Sequence, residues 1–167
     1  MNLTLLDIFC GRGGWTRPAM LRGWRCIGID NVDHGYPGEL CLADCPLPIT
    51  SLRLHDPDLV VISPPCEEFA RYHLPWIAQP TKPSTALLLW SLSLVQAFDC
   101  PVIVECSRFA ARHVAGARFT GSYALWGDLP ILLPEVPRRK MRTSGTDAAR
   151  RAMIHPVLSD WILSRHE

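Results

Sequence analysis

The sequence predicts a single α/β domain with a mostly parallel sheet and helices on both faces of that sheet. Short runs such as residues 3–9 and 59–62 are almost entirely apolar, which is typical of strands buried on both faces. A glycine-rich turn follows the first run, and acidic residues or a cysteine follow the ends of other predicted strands. At 167 residues, nearly half of them hydrophobic and a fifth charged, the chain is long enough to bury one core.

The turn after the first strand has three glycines within four residues: Gly11, Gly13 and Gly14. Glycines allow a tight turn and a close approach of the backbone to a ligand. Residues 15–22 then predict a helix that Gly23 closes. Strand, glycine turn and helix form the nucleotide-binding half of many α/β folds, although such turns also occur without a ligand.

An acid ends the second predicted strand, residues 24–29. Asp30 lies 19 residues after Gly11, where a carboxylate can accept hydrogen bonds from the hydroxyls of a ribose. The alternative is a turn-forming Asp, because the following segment is rich in Asn, Asp, Gly and Pro. A short third strand is predicted at 39–42, and Asp44 after it is placed to meet the base of a bound nucleoside.

Cys66 follows the strand predicted at 59–62, after Pro64 and Pro65. Two consecutive prolines prevent both helix and ladder hydrogen bonding, so the chain leaves the sheet there as a stiff loop. Ligands bind at the carboxyl edge of open α/β sheets, and a cysteine held at that edge is a candidate nucleophile. The alternative is a small buried apolar residue, which is the commoner role of cysteine.

Glu105 ends the strand predicted at 101–104, which follows a helix predicted over 84–98. Parallel strands would bring this acid to the same sheet edge as Cys66. Burial there would raise the pKa of the carboxyl and allow it to donate a proton, whereas the alternative is an ordinary surface acid. Residues 71–83, with three prolines, predict an irregular but ordered loop beside the site.

The last third of the chain has weaker patterns. Residues 138–151 carry six bases against one acid, which is either an anion-binding patch or a solvated loop and helix end. Before this block the sequence predicts two short strands, 118–126 and 130–133, which could form an antiparallel flap. Two helical pieces are predicted near the C-terminus, at 147–153 and 156–164.

The composition excludes several classes of protein. No apolar run reaches the length of a membrane span, and the N-terminus lacks the basic segment and cleavage site of a signal peptide. Seven cysteines without a CxxC spacing indicate free thiols in a reducing compartment. No histidine pairs with a cysteine at zinc-ligand spacing, so we expect no metal site.

The order of these motifs resembles the DNA (cytosine-5) methyltransferase family, in particular its short phage and prophage members. The matching motifs, in full order and spacing over 1–109, are Asp7 to Gly14 (DIFCGRGG), Gly28-Ile29-Asp30, Ala43-Asp44, Ser63 to Ala70 (SPPCEEFA) and Val104-Glu105-Cys106. Arg138 to Arg142 (RRKMR) is similar to the family's basic motif. The resemblance implies a Rossmann-like S-adenosylmethionine-dependent methyltransferase fold over 1–167, in the cytoplasm of a bacterial or phage-infected cell.

The resemblance also implies roles for individual residues. The Cys66 thiolate would add to carbon 6 of a cytosine flipped out of double-stranded DNA, so that carbon 5 can take the methyl group of S-adenosylmethionine. Glu105 would protonate or hydrogen-bond ring nitrogen 3, and Lys140 and Arg142 would hold the base or its phosphates. The implied cofactor residues are Phe9, Cys10, Gly11, Gly13, Gly14, Asp30, Asn31, Asp44, Cys45 and Pro65.

The chain departs from the family pattern at three points. Cys106-Ser107 follow Glu105 where the family has Asn-Val, and the segment 151–158 lacks the Asn of the last motif. The residues after Glu105 are too few for the family's separate target-recognition domain, so we expect a short or relaxed target sequence. The aromatic candidates to fill the gap left by a flipped base are Tyr72, Trp76 and Trp126, and the alternative for each of them is a core residue.

Two other functions remain open at this point. One is a carbon-5 transferase that acts on free pyrimidine nucleotides or on RNA, because the same cysteine chemistry serves any pyrimidine. The other is a non-catalytic S-adenosylmethionine-binding subunit of a complex. The presence of both Cys66 and Glu105 argues against the second.

Overall fold

The computed structural model describes residues 3–73, 75, 77, 78, 81–137 and 154–166. Within this part of the chain the strands are β1 (Thr4–Ile8), β2 (Arg25–Asp30), β3 (Glu39–Leu42), β4 (Leu59–Ile62), β5 (Val102–Ser107), β6 (Arg118–Thr120) and β7 (Tyr123–Gly127). They form one seven-stranded sheet in the order β3-β2-β1-β4-β5-β7-β6.

Strands β1 to β5 are parallel, whereas β7 is antiparallel to both β5 and β6. The chain moves outward from β1 to β2 and β3 and then returns to β4 on the other side of β1. The strand order therefore reverses between β1 and β4, and α/β folds bind ligands in the crevice at such a switch point. The topology confirms the predicted Rossmann-like fold with a mostly parallel sheet. Strands β6 and β7 form an antiparallel flap, but it differs from the predicted one, because β6 and most of β7 lie within the single strand predicted at 118–126.

Alternate residues of the central strands face two separate apolar clusters. Helices α1 (Thr16–Leu21) and α5 (Pro156–Leu163) pack on the face that carries Leu5, Leu59 and Ile103. The opposite face carries Leu6, Val60 and Val104, and it is covered by α2 (Ile49–Arg53), α3 (Glu67–Tyr72) and α4 (Ala86–Ser93). The strands are thus buried on both faces, which is why they are apolar throughout. None of these helices is long and apolar enough to cross a membrane.

The structure corrects three predictions about secondary structure. Residues 130–133 form no strand, because their carbonyl groups are used by side chains: Arg118 donates hydrogen bonds to the carbonyls of Pro130 and Ile131. Helix α3 begins at Glu67, where we predicted only a loop. Strand β5 continues past Glu105, because its pairing with β7 extends to Ser107. The helix predicted at 147–153 lies outside the described residues.

Candidate active site

A cleft of about 400 Å³ lies at the carboxyl ends of β1, β2 and β4, beside the switch point of the sheet. Its volume is within the range of roughly 300–1,000 Å³ that is usual for small-molecule sites. Nine of the ten predicted cofactor residues line this cleft: Phe9, Cys10, Gly11, Gly14, Asp30, Asn31, Asp44, Cys45 and Pro65. Since Asp44 and Cys45 follow β3, the motifs after β1, β2, β3 and β4 all meet at this cavity.

The tenth predicted residue, Gly13, does not line the cleft and serves the turn instead. Its φ of +72° is a left-handed conformation that favours glycine. A Cβ atom at this position would lie 2.7 Å from Cδ of Pro37 and 3.1 Å from Cβ of Thr16. We therefore assign Gly13 to the packing of the loop after β2 against the start of α1, and not to contact with a ligand.

Asp30 joins the glycine turn to the end of β2 through hydrogen bonds of its carboxylate. Its Oδ2 accepts a hydrogen bond of 2.9 Å from the backbone N–H of Gly11, and its Oδ1 accepts one of 2.8 Å from the N–H of Asn31. A carboxylate has about four lone-pair sites, so acceptor capacity remains on the cleft side. Asp30 thus stabilises a turn and also lies in the cleft, whereas its contact with a ribose stays a prediction.

Phe9 has a backbone conformation that the sequence did not predict. Its φ is +58°, which is uncommon for a residue with a side chain. The N–H groups of Phe9 and Cys10 both donate to the carbonyl of Ile29, at 2.8 and 3.2 Å, and hold this conformation. The ring packs edge-to-face on Trp90, with 6.0 Å between centroids, and borders the cleft. Strained backbone of this kind is concentrated at functional sites.

Asp7 is a residue of the cleft to which sequence analysis gave no role of its own. Its side chain is 1% exposed, and Oδ2 accepts a hydrogen bond of 2.8 Å from the Thr16 hydroxyl, which also hydrogen-bonds with Tyr36. Burial, reinforced by the charge of Asp30, raises the pKa of Asp7 to about 8. Among the described residues Oδ1 has no hydrogen-bond partner. The sequence did contain a signal for this residue, because Asp7 is an acid inside a strand that is otherwise buried and apolar.

Cys66 precedes helix α3 and lies between Pro65 and Glu67, both of which line the cleft, although Cys66 itself does not. It is half-buried, and it packs against the apolar cluster that contains Cys106. A hydrogen bond with the Cys106 thiol lowers the pKa of Cys66, and a bond from the backbone N–H of Ser107 acts in the same direction. These two donors outweigh the desolvation of the thiolate, so Cys66 is the more acidic thiol of the pair.

Glu105 is 7% exposed and lies within β5, opposite Leu125 of β7. The pairing between β4 and β5 ends at Ile62 and Val104, so Glu105 is the first residue of β5 beyond the end of β4. The alternative of a surface acid is therefore wrong. The structure confirms the burial and the place at the carboxyl edge of the parallel strands.

The remaining predicted residues lie away from the cleft or outside the described residues. Trp126 is a core residue of β7 that donates a hydrogen bond of 2.9 Å from Nε1 to the carbonyl of Ala115, so its proposed insertion into DNA is wrong. Tyr72 ends α3 and packs edge-to-face against His73 and His113. Lys140, Arg142 and Trp76 lie outside the described residues.

Comparisons with known proteins give structural neighbours only. No protein-family model matches the chain, and no curated protein has a similar sequence. The chain is structurally similar to a DNMT2 mutant from Spodoptera frugiperda, with 18% identity, a TM-score of 0.44, and coverage of 64% of this chain and 36% of that one. It is also similar to the Dnmt2 methyltransferase of S. pombe, with 15% identity, a TM-score of 0.45, and coverage of 75% and 48%. The chain thus spans a third to a half of the length of these proteins.

Proposed function

We propose that the protein is an S-adenosylmethionine-dependent methyltransferase that methylates carbon 5 of cytosine in DNA, with Cys66 as the nucleophile. The observation that carries this proposal is one cleft at the switch point that gathers nine implied cofactor residues and borders the Pro-Pro-Cys loop. A ligand in this cleft would lie beside a thiol whose pKa is lowered by hydrogen bonds.

The groups that line the cleft match the parts of S-adenosylmethionine. The free acceptor sites of Asp30 suit the ribose hydroxyls, and Asp44 suits the amino group of adenine. Oδ1 of Asp7, which is buried and unpartnered among the described residues, offers an acceptor to the ammonium group of the methionine part. The bound cofactor would supply the methyl group, and the protein would supply its orientation toward the Pro-Pro-Cys loop.

In this proposal Cys66 and Glu105 act on the pyrimidine ring. A lone pair of the Cys66 thiolate forms a bond to carbon 6, and the electrons of the carbon 5–carbon 6 double bond move toward carbon 5 and the ring. Glu105 offsets the charge at ring nitrogen 3 by donating a proton or a hydrogen bond. Carbon 5 would then take the methyl group, leaving S-adenosylhomocysteine, and transfer of the carbon 5 proton to solvent would restore the double bond and expel the thiolate.

DNA is the proposed substrate, and Lys140 and Arg142 are the proposed contacts to the base or its phosphates. A duplex hides carbon 5 within the stack, so the cytosine would have to be flipped out. Phosphate contacts carry no sequence information, and we propose a short or relaxed target. RNA and free nucleotides are the competing substrates, because the cleft and Cys66 do not distinguish among pyrimidines.

A radiolabelled methyl-transfer assay tests the proposal. The purified protein is offered duplex DNA, single-stranded DNA, RNA and dCMP, and we expect transfer to duplex DNA. Cys66→Ala should abolish transfer, whereas Cys41→Ala, which removes an exposed thiol of β3, should not. DNA that carries 5-fluorocytosine should trap the wild type covalently, because the fluorine blocks the release of the thiolate.

The outcome also separates the alternatives. Transfer to RNA or dCMP but not to DNA would replace the proposed substrate, and binding of S-adenosylmethionine without any transfer would favour a non-catalytic subunit. Bisulfite sequencing of methylated DNA then measures target length. Modification confined to one site of four or more base pairs would contradict the relaxed specificity.

A further inference from the structure

Cys106 brings a second thiol to the candidate nucleophile. It follows Glu105 on β5, in the position where the sequence departs from the Asn of the resembled family. Its side chain is 1% exposed and belongs to the same apolar cluster as Val102 and Val104. The cluster packs against Cys66, so the departure from the family pattern lies directly at the site.

The sheet explains how the two cysteines meet. Strands β4 and β5 are parallel neighbours, and their pairing ends at Ile62 and Val104. Cys106 is two residues beyond Val104 on β5, and strand residues two apart point to the same face. The loop that leaves β4 packs Cys66 against the same apolar cluster, close enough to Cys106 for each thiol to shift the pKa of the other.

Only one thiol of such a pair can readily lose its proton, because the second would then face a neighbouring negative charge. Cys106 is the more buried of the two, and its interaction with Cys66 together with its burial raises its pKa. Cys66 is half-buried, so its thiolate loses less hydration than that of Cys106. The arrangement therefore favours Cys106 as the protonated donor and Cys66 as the thiolate.

We propose that Cys106 is a positioning residue that donates its S–H to the Cys66 sulfur and holds that sulfur as a thiolate directed at the substrate. Cys106 keeps its proton throughout. The hydrogen bond is strongest to the free thiolate, weakens when the Cys66 sulfur bonds to carbon 6, and is restored when the thiolate leaves. This role rests on the proposed function, but the state of the thiol can be measured without any methyl transfer.

The hydrogen bond affects reactivity in two opposing ways. It increases the fraction of Cys66 that is thiolate near neutral pH, and it also makes the thiolate a weaker nucleophile. For a shift of one pKa unit, nucleophilicity changes by about threefold, since the rate follows the pKa with a coefficient of about 0.4–0.5. The thiolate fraction below both pKa values changes by about tenfold. Loss of the Cys106 donor should therefore slow the reaction of Cys66 with an electrophile at low pH and accelerate that reaction at high pH.

The experiment follows alkylation of Cys66 by iodoacetamide from pH 6 to pH 10, quantified on its own peptide by mass spectrometry. In Cys106→Ala we expect the pKa of Cys66 to rise by about one unit, the rate near pH 6.5 to fall about threefold, and the rate at pH 10 to exceed that of the wild type about threefold. Cys106→Ser retains a donor and should lie between the two. Exposed Cys41 provides an internal reference in each sample.

Val104→Ala is the matched control, because it removes buried volume from the same face of the same strand without removing a donor. We expect its profile to follow that of the wild type. An unchanged pKa of Cys66 in Cys106→Ala, or an equal shift in Val104→Ala, would overturn the assignment. The two proposals can fail separately. If Cys106→Ala is alkylated more slowly than the wild type at low pH and faster at high pH, but the wild type transfers no methyl group, the proposed function fails and the coupling of the two thiols stands.

Discussion

The backbone N–H of Gly11 donates a hydrogen bond of 2.9 Å to Oδ2 of Asp30, which joins the glycine turn after β1 to the end of β2. The second oxygen of the same carboxylate holds the N–H of Asn31. Turn and acid are thus one unit, and both border the cleft. Any substitution at Asp30 therefore affects the shape of the cleft as well as its acceptors.

The first prediction concerns that acid. Asp30→Ala should weaken the binding of S-adenosylmethionine at least tenfold in calorimetry, because charge-assisted hydrogen bonds contribute about 1.5–3 kcal/mol each. Asp33→Ala is the control: its carboxylate accepts hydrogen bonds from the N–H groups of Gly35 and Tyr36 in the exposed loop and does not line the cleft. Equal dissociation constants for Asp30→Ala and the wild type would reduce Asp30 to a turn residue.

The second prediction separates the two glycines of the turn after β1 that have positive φ, Gly11 and Gly13. Gly11→Ala and Gly13→Ala both place a side chain in a left-handed conformation, at a cost of about 1 kcal/mol. Only at Gly13 does the new Cβ meet Pro37, and such overpacking costs about 1–3 kcal/mol more. In urea unfolding Gly13→Ala should therefore be the less stable variant. Gly11→Ala should instead lose affinity for the cofactor, because its Cβ would occupy the open cleft.

The third prediction concerns the pH dependence of stability. The pKa of Asp7 rises from 3.8 to about 8 on folding, so between these values the native state holds a proton that the unfolded state has lost. The carboxyl therefore stabilises the fold least at high pH, and stability should fall by about 1 kcal/mol per pH unit between pH 5 and pH 7. Asp7→Asn removes this dependence and should gain stability relative to the wild type as pH rises. Parallel unfolding curves for the two proteins would show that Asp7 is ionised in the native state.

The sequence predicted the sheet well, because strands buried on both faces leave a continuous apolar pattern. Strand β4 and the elements from β1 to β3 lie within a residue or two of their predicted places. Helix α3 was missed because its six residues bury one large side chain, Phe69, and are too few for a periodic signal. Its stability comes from tertiary packing, which no local pattern records.

The site was predicted as far as topology alone determines it. Parallel strands bring their carboxyl ends to one edge, so residues that follow β1 to β4 border one cleft, although Cys66 and Glu105 do not line it. The contact between Cys66 and Cys106 depends on the path of the loop after β4, and the positive φ of Phe9 depends on one carbonyl of β2. The role of Trp126 could not be decided from the sequence, because an aromatic residue in a buried strand and one beside a DNA groove have the same local pattern; the structure places it in the core.

The fourth prediction concerns the basic segment, whose position lies outside the described residues. If Lys140 and Arg142 each contact a phosphate, their joint replacement by alanine should reduce the slope of log affinity against log salt by about 2. Arg25→Ala is a suitable control, because that base is already paired with Glu39 at 2.8 Å on the sheet edge. An unchanged slope in fluorescence titrations with duplex DNA would remove both residues from the proposed interface.

The last prediction concerns Glu105. Glu105→Gln keeps the shape of the side chain in β5 but removes its acidic proton, so single-turnover methyl transfer should slow by about 10²-fold or more. Binding of S-adenosylmethionine should not change, because Glu105 does not line the cleft. Glu67→Gln is the control: this exposed acid borders the cleft and, through its charge, raises the pKa of Cys66. Its neutralisation should leave the rate unchanged or modestly increase it, since more Cys66 would be thiolate. Equal losses of rate in both variants would mean that the negative charge near Cys66 is the common factor. An undiminished rate in Glu105→Gln would mean that another group donates to ring nitrogen 3.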